Sequence, residues 1–116
     1  TKLSDSLIAT GFPYYDFEQL EKYMNVLRYF MEHTRGIRRL GSAAIDLCYT
    51  SCGRFDAFFE YSLSPWDVAA GALILQEAGG VVTDFNGDDN WLHGRQIIGS
   101  NAHISAAMLK VIKDRF

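Results

Sequence analysis

The apolar residues recur at the spacing of an amphipathic helix in two long segments of the chain. The first segment follows Asp16-x-x-Gln19, a typical helix start, and ends before Gly36. Its stripe consists of Leu20, Tyr23, Met24, Leu27, Phe30 and Met31. The second segment follows Asn101, and its stripe consists of Ile104, Ala107, Met108, Val111 and Ile112. We predict two helices that each pack one face on a core, with an oligomer contact as the alternative role of the first stripe.

Five shorter apolar segments are typical of β-strands. They span residues 7–9, 36–40, 54–61, 81–85 and 96–99. Two further helices are predicted, one capped by Ser42 and one that begins at Pro65 and ends before Gly79. The first of these two has Ala44, Leu47, Cys48 and Ser51 on one face. Strands that alternate with helices form an α/β fold, so we predict a single domain over residues 1–116. We expect a layered, mixed and largely parallel five-stranded sheet with helices on both faces.

Composition narrows the classes of protein that this chain can represent. The hydrophobic content of 48% and the aromatic content of 14% are sufficient for a packed core. A net charge of -3 gives no positive field that would attract nucleic acid or anionic lipid, so we expect neither as a partner. The longest apolar run, residues 68–75, is too short to cross a bilayer. We expect Cys48 and Cys52 to be reduced thiols, which favours a cytoplasmic location.

Residues 64–79 place one carboxylate in the first turn of an apolar helix. Ser64 is a typical N-cap residue, Pro65 is favoured at the first helical position, and Asp67 follows at the third. The positive end of the helix dipole stabilises an acid at that position. Two interpretations stay open here, because Asp67 fits both a capping box and a metal ligand held at the tip of a helix.

Two further candidate sites lie where predicted strands end. Gly41-Ser42-Ala43 joins a strand to a helix, and its free N–H groups and the Ser42 hydroxyl can bind a phosphate or hydroxyl oxygen. Glu60 ends an apolar strand at the edge where α/β sheets bind ligands, and it can accept hydrogen bonds from two hydroxyls. The alternatives are an ordinary Gly-Ser cap and an exposed acid at a strand end.

The remaining polar groups are weaker candidates for chemistry. Asp46 lies in the middle of a predicted helix, and Asp56 alternates away from the apolar Phe55. The acids in residues 84–89 crowd a polar turn that does not fit the calcium-loop pattern. We interpret the arginines in residues 35–39 as a solvated surface, with contact to a phosphorylated ligand or a neighbouring subunit as the alternative.

Four short motifs carry a resemblance to a known family. WDVAAG at 66–71 and EAGG at 77–80 are similar to the C-terminal signature of the inositol monophosphatase family. RRLGSAA at 38–44 and FFE at 58–60 resemble two other elements of that family, at the matching distance from Asp67. The resemblance covers essentially the whole chain. It implies that Asp67 ligates a catalytic Mg²⁺ and that Gly41, Ser42, Ala43 and Glu60 contact the substrate.

The family's other metal ligands lie in a Gly-x-Glu element and an Asp-Pro-Ile-Asp-Gly-Thr-like element, and neither occurs here. The resemblance therefore implies the C-terminal half of a sugar-phosphatase fold, from a longer enzyme that hydrolyses inositol monophosphate or a similar phosphate monoester. We expect this fragment alone to be inactive and the complete protein to be a homodimer. The alternatives are the same chemistry on fructose bisphosphate, histidinol phosphate or adenosine bisphosphate, and a noncatalytic binding or dimerisation module.

Overall fold

The computed structural model describes residues 2–11, 19–61, 65–93 and 95–116. Strands and helices alternate along it except for two consecutive strands before the last helix. A short 3₁₀ turn, Leu3–Asp5, precedes the first strand. The strands are β1 (Leu7–Thr10), β2 (Gly36–Arg38), β3 (Ala57–Tyr61), β4 (Val81–Thr83) and β5 (Gln96–Ser100). The helices are α1 (Leu20–His33), α2 (Ala43–Ser51), α3 (Pro65–Glu77) and α4 (Ser105–Arg115).

The strands form a single five-stranded sheet in the order β2-β1-β3-β5-β4. β1 pairs in parallel with β2 and β3, whereas β5 pairs antiparallel with both β3 and β4. Four strands thus run in one direction and β5 runs in the other. The predicted mixed, largely parallel sheet is confirmed. Because β2 and β3 both run parallel to β1, their carboxyl ends lie at the same edge of the sheet.

Helices cover both faces of the sheet, and the alternation of side chains along β3 separates two cores. Phe59 packs on one face with α1 and α4, including Phe30 of α1 and Met108 of α4. Its neighbour Phe58 packs on the other face with α2 and α3, including Leu47 of α2. β3 is therefore buried on both faces, as expected for a central strand between two helical layers.

α2 and α3 lie close together because glycines stand at their points of contact. A Cβ added at Gly71 of α3 would lie 2.8 Å from the Cβ of Leu47. A Cβ added at Gly99 of β5 would lie 2.7 Å from Leu75 Cδ2 and 2.9 Å from Leu47 Cδ2. These close approaches fix the two helices against each other and against the sheet, so the first turns of both helices have defined positions.

The structure corrects several predicted boundaries and faces. β4 ends at Thr83 and β2 at Arg38, short of the predicted ends. Of the predicted stripe in α1, only Tyr23 and Phe30 are fully buried, and Val26, which the stripe did not include, is buried with them. The predicted face of α2 is confirmed at Leu47 and wrong at Ala44, which is exposed, whereas Cys48 and Ser51 are half-buried. Asp46 and Thr50, which the prediction left out, are buried beside Leu47. The predicted starts at Asp16 and Ser64 lie outside the described residues.

The second stripe is confirmed except at Ala107, which is exposed. The expected helix start at Asn101 is wrong, because α4 begins at Ser105 and its N-cap is Ile104. Asn101 instead fixes the turn before the helix, since Asn101 Oδ1 accepts the N–H groups of His103 and Ile104 at 3.0 and 3.2 Å. Cys48 and Cys52 are free thiols. In the described part of the chain, every helix is too short or too polar to cross a membrane.

Candidate active site

The segment Gly41-Ser42-Ala43 forms the N-terminal cap of α2. Gly41 has a φ of +89°, a conformation that favours glycine, and Ser42 is extended. Ser42 Oγ accepts the N–H of Ile45 at 3.3 Å, and the Ser42 carbonyl accepts the N–H of Asp46 at 2.9 Å. The first helical residues, beginning with Ala43, come before the two residues that donate these bonds. Their N–H groups point out of the N-terminal end of the helix. The predicted cap is confirmed, and this end of α2 has the chemistry of an anion or hydroxyl site.

Glu60 lies near the carboxyl end of β3, on the face covered by α2 and α3. It alternates with Phe59 and shares its face with Phe58, and its side chain is half-buried. The carboxylate lies against the backbone of Gly11, just after β1, at a place where an added Cβ would overlap Glu60 Oε1. The absence of a side chain at residue 11 is therefore what gives the carboxylate its space.

Asp67 lies at the third position of α3 and is half-buried. It is close enough to Glu60 for the charges of the two carboxylates to interact, since Asp67 is one of the groups that raise the pKa of Glu60. The first turn of α3 follows β3 after a short connection, so the acid of the helix and the acid of the strand face the same edge of the sheet.

Asp46, which the sequence placed among the weaker candidates because it lies in the middle of a helix, is close enough for its charge to act on Glu60. It is fully buried on α2, one turn after Ser42, and its two carboxylate oxygens have no hydrogen-bond partner among the described residues. Burial raises the pKa of Asp46 to about 6, although the charge of Arg39 acts in the opposite direction. Its four-residue spacing from Ser42 was the available signal, because that spacing places both residues on one side of a helix.

Glu60 has the most strongly altered charge state in the group. Burial raises its pKa to about 8, the charges of Asp46 and Asp67 add to this rise, and the charge of Arg39 opposes it. The charges of Asp46 on α2 and Asp67 on α3 thus both act on Glu60 at the end of β3. A carboxyl group with a pKa near neutral pH, set by burial and by neighbouring acids, is typical of a functional site.

Arg39 contributes a positive charge to this group. Its Nη1 atom lies 3.6 Å from the position of an added Cβ on Gly41, which places the guanidinium beside the cap of α2. Its charge acts on both Asp46 and Glu60. Of the three arginines that the sequence groups together at 35–39, this one therefore belongs to the site, whereas Arg38 bonds the carbonyl of its neighbour Ile37.

The polar turn at 84–89 has a structural explanation. Asp84 is buried, and its Oδ1 accepts the N–H groups of Asn86 and Asp88 at 2.9 Å each. Such bonds fix a tight turn and use the oxygen that a cation would need. Among residues 2–11, 19–61, 65–93 and 95–116, no three His, Cys, Asp or Glu side chains converge closely enough to hold a metal ion on their own.

Comparison with known proteins identifies a family for this chain. The model of the inositol monophosphatase family matches residues 1–115. SuhB of Neisseria meningitidis serogroup B is 51% identical over 111 residues, which make up 96% of this chain and 42% of that protein. Nus factor SuhB of Pseudomonas aeruginosa is 45% identical over 113 residues, which again make up 96% of this chain and 42% of that protein. This chain therefore spans about two fifths of the length of these relatives.

A solved structure gives the same result for the fold. The inositol monophosphatase of Anabaena (Nostoc) sp. PCC 7120 superposes with a TM-score of 0.91 at 36% identity. The match covers 98% of this chain and 46% of the Anabaena chain. The likeness thus extends over all the elements described here, including those that carry the acidic group.

Proposed function

Because the chain belongs to the inositol monophosphatase family, we propose that it is the C-terminal part of a Mg²⁺-dependent phosphomonoesterase. The substrate that we propose is inositol monophosphate or a similar sugar or polyol phosphate. The observation that carries this proposal is the meeting of Glu60, Asp67 and the cap of α2 at one edge of the sheet. An anion site, a hydroxyl acceptor and a carboxylate at a helix tip together suit a phosphate ester of a polyol.

The residues present suit a divalent cation, although they do not complete its site. Carboxylate oxygens are the ligands that Mg²⁺ prefers. Burial raises the pKa of Glu60 and the charges of Asp46 and Asp67 add to this rise, so a nearby cation would stabilise the ionised carboxylates. We propose Asp67 as the ligand that this chain contributes. When bound, Mg²⁺ would neutralise charge on the phosphate and activate water for attack.

The side chains and backbone of this chain would bind and orient the alcohol part of the substrate. The N–H groups at the start of α2, around Ser42 and Ala43, would donate hydrogen bonds to a substrate oxygen. Glu60 would exchange hydrogen bonds with ring hydroxyls, and Gly11 leaves it the space to do so. Holding the ester in one orientation reduces the entropy that the reaction must otherwise lose.

Two observations support the proposal that a longer protein contains this domain. The chain spans 42% of the length of its relatives. In addition, α3 is apolar on both sides: Val68 and Leu75 are buried against the sheet, whereas Leu73 is 57% exposed on the outer face. A helix that is apolar all round is normally covered on all sides, so the outer face of α3 needs a partner surface. We propose that the rest of the protein covers it.

We further propose that the complete protein is a cytoplasmic homodimer. The free thiols support a reducing compartment. In α1, Leu20, Met24 and Met31 of the predicted stripe are exposed, as a helix at a subunit contact would have them.

The experiment is phosphate release from inositol 1-phosphate by the complete protein, measured against Mg²⁺ concentration. We expect Mg²⁺-dependent turnover, and a rise of about tenfold in KM for Glu60→Gln, the scale of one lost hydrogen bond to a charged or polar partner. The exposed acid Asp88, replaced by Asn, is the control and should leave KM unchanged. Comparison with fructose bisphosphate, histidinol phosphate and adenosine bisphosphate identifies the substrate class.

The names of the relatives favour a second candidate function. The Pseudomonas aeruginosa relative, at 45% identity, is a Nus factor by name rather than a phosphatase. A noncatalytic binding module built on the same fold is therefore the alternative for the complete protein. Absence of phosphate release from all four classes of ester, in a folded protein with its metal ligands in place, would support this alternative and contradict the enzyme.

A further inference from the structure

A group of buried hydrogen bonds lies at the end of β1, on the same glycine that Glu60 contacts. Tyr23 of α1 donates its hydroxyl proton to the Gly11 carbonyl at 2.9 Å. Tyr23 Oη also lies 2.9 Å from Thr10 Oγ1, which donates to the Phe59 carbonyl at 2.9 Å. The Phe59 carbonyl belongs to the peptide group that precedes Glu60. The two hydroxyls thus hold the backbone on both sides of the Glu60 carboxylate.

Gly11 is the residue that most needs such a restraint. A glycine has no Cβ, so its backbone adopts more conformations than that of any other residue. The same missing Cβ gives the Glu60 carboxylate its space, because an added Cβ would overlap Glu60 Oε1. Without a further contact, the carboxylate would therefore lie against a backbone that is free to rotate. The bond from Tyr23 removes that freedom from the Gly11 carbonyl.

The ring and the hydroxyl of Tyr23 have separate roles. The ring packs against Phe59 and Tyr61, with centroids 5.8 and 5.6 Å apart, and Tyr23 is 1% exposed. A phenylalanine would fill this space without the cost of burying a hydroxyl. Burial raises the pKa of Tyr23 to about 12, the hydrogen bond with Thr10 opposes this rise, and the charge of Glu60 adds to it. The phenol therefore keeps its proton at neutral pH and lies within reach of the Glu60 charge.

Tyr23 and Glu60 belong to opposite faces of the sheet. Tyr23 lies in the core that α1 and α4 cover, together with Phe59. Glu60 alternates with Phe59 and lies on the face that α2 and α3 cover. The backbone of Gly11 links the two side chains, because it accepts the bond from Tyr23 and contacts the carboxylate of Glu60.

We propose that Tyr23 is a positioning residue for Glu60. Its hydroxyl, together with that of Thr10, fixes the backbone at the end of β1, and this backbone holds the carboxylate in the orientation that binds a polyol. This role rests on the proposed function, in which Glu60 binds the alcohol part of the substrate. Helix α1 thereby contributes to substrate binding from the face of the sheet opposite to the acidic group.

The test is Tyr23→Phe in the complete protein, which removes the hydroxyl and keeps the ring. We expect KM for inositol 1-phosphate to rise about fivefold, the scale of one hydrogen bond, with kcat changed less than about twofold. KM for p-nitrophenyl phosphate should stay unchanged, because this ester offers Glu60 no hydroxyl. Tyr29→Phe is the matched control and should leave both KM values unchanged. It removes a hydroxyl from the same helix, from a ring that stacks on His33 at 4.2 Å.

Two changes at Thr10 test the same hydrogen bonds from the second hydroxyl. Thr10→Val removes that hydroxyl and should raise KM for inositol 1-phosphate as Tyr23→Phe does. Thr10→Ser keeps the hydroxyl and should have a KM within about twofold of that of the parent protein. Unchanged KM in both Tyr23→Phe and Thr10→Val would overturn the proposal.

A double-mutant cycle tests whether Tyr23 acts through Glu60. In a Glu60→Ala background, Tyr23→Phe should have no further effect on KM for inositol 1-phosphate, because the side chain that it positions is absent. A further rise of about fivefold in that background would show independent effects and would overturn the proposal.

The failure of this role is distinguishable from the failure of the proposed function. If Glu60→Ala raises KM and Tyr23→Phe does not, Glu60 binds the substrate without Tyr23, and the positioning role is wrong. If Glu60→Ala leaves KM unchanged, the proposed function fails, and crystal structures of the complete protein decide whether Tyr23 positions Glu60. Tyr23→Phe should displace the Glu60 carboxylate by more than about 0.5 Å, the tolerance of a binding site. A carboxylate in the same place in both proteins would overturn the proposal.

Discussion

The carboxylate of Glu60 lies against the backbone of Gly11, where a side chain on residue 11 would overlap Glu60 Oε1. This contact links the end of β1 to the end of β3 and positions the Glu60 carboxylate at the edge of the sheet. Phe59, the neighbour of Glu60, is held by a bond from Thr10 Oγ1 to its carbonyl at 2.9 Å. The position of Glu60 therefore depends on a glycine that is remote from it in sequence.

Gly11→Ala should displace the Glu60 carboxylate and lower kcat/KM for the polyol phosphate about tenfold or more in the complete protein, with the fold retained. The measurement is steady-state kinetics with circular dichroism as the check on folding. Gly36→Ala is the matched control, because its added Cβ would meet only the flexible end of Arg38 at 3.2 Å and the side chain of Leu7 at 3.4 Å. Equal kinetics in both variants and the parent protein would show that the contact has no functional role.

The buried carboxyl of Asp46 should make stability depend on pH. Its pKa rises from 3.8 to about 6 on folding, so the folded protein holds this proton more tightly than the unfolded chain. The contribution of this carboxyl group to the free energy of unfolding is largest below about pH 4 and falls as the pH rises toward 6. Asp46→Asn, which stays neutral, should lack this fall and gain on the order of 1 to 3 kcal/mol at pH 7 relative to the parent.

Denaturant unfolding of the complete protein at pH 4 and pH 7 measures this difference. Asp114→Asn is the control, because its carboxylate is exposed and forms only a surface ion pair with Lys110 at 3.3 Å. If the free energies of unfolding of the parent and of Asp46→Asn differ by the same amount at pH 4 and pH 7, the assigned burial of the charge is contradicted.

The 116-residue chain expressed alone should hydrolyse inositol 1-phosphate far more slowly than about 1 per second, the lower range of typical enzymes. The physical reason is that one carboxylate, Asp67, holds Mg²⁺ only weakly when no other ligands join it. The assay contains millimolar Mg²⁺ and the complete protein as the positive control. Turnover by the isolated chain at an ordinary enzymatic rate would contradict the need for the remaining part.

The isolated chain should also associate with itself through the uncovered face of α3. Leu73 and Ile74 are 57% and 47% exposed there, and Ile45 of α2 is 47% exposed. Sedimentation should show oligomers at high concentration that Leu73→Glu reduces. The same change at the polar exposed residue Gln76 is the control. A strict monomer that binds no apolar dye would argue against an uncovered face.

The sequence predicted the fold well because its signals are local. The periodic stripe of α4 and the cap at Ser42 depend on neighbouring residues, and the structure confirms both. The role of Asp46 depends on packing between α2 and the sheet, which no local pattern contains. The same applies to the short β4, whose end at Thr83 precedes the turn that Asp84 fixes through its side chain.

The residues of the candidate site also differ in whether a local sequence signal indicates them. Their positions at the ends of elements made Glu60 and Asp67 candidates with a structural alternative, and the family resemblance implied their site roles. The structure places the two close enough for their charges to interact. Arg39 was grouped with Arg35 and Arg38 on the basis of charge alone. Only the turn at Gly41, with its positive φ, brings the Arg39 guanidinium beside the cap of α2.

The effect of Asp67→Asn on kcat/KM, measured in the complete protein over a range of Mg²⁺ concentrations, separates a metal ligand from a helix cap. Asparagine keeps a side-chain oxygen at the third position of α3, so stability should fall by no more than about 1 kcal/mol. Loss of the negative charge should lower kcat/KM at least about a hundredfold and weaken the dependence on Mg²⁺. Glu77→Gln, at the other end of the same helix, is the control. Near-normal activity at low Mg²⁺ with a lower melting temperature would show that Asp67 only caps the helix.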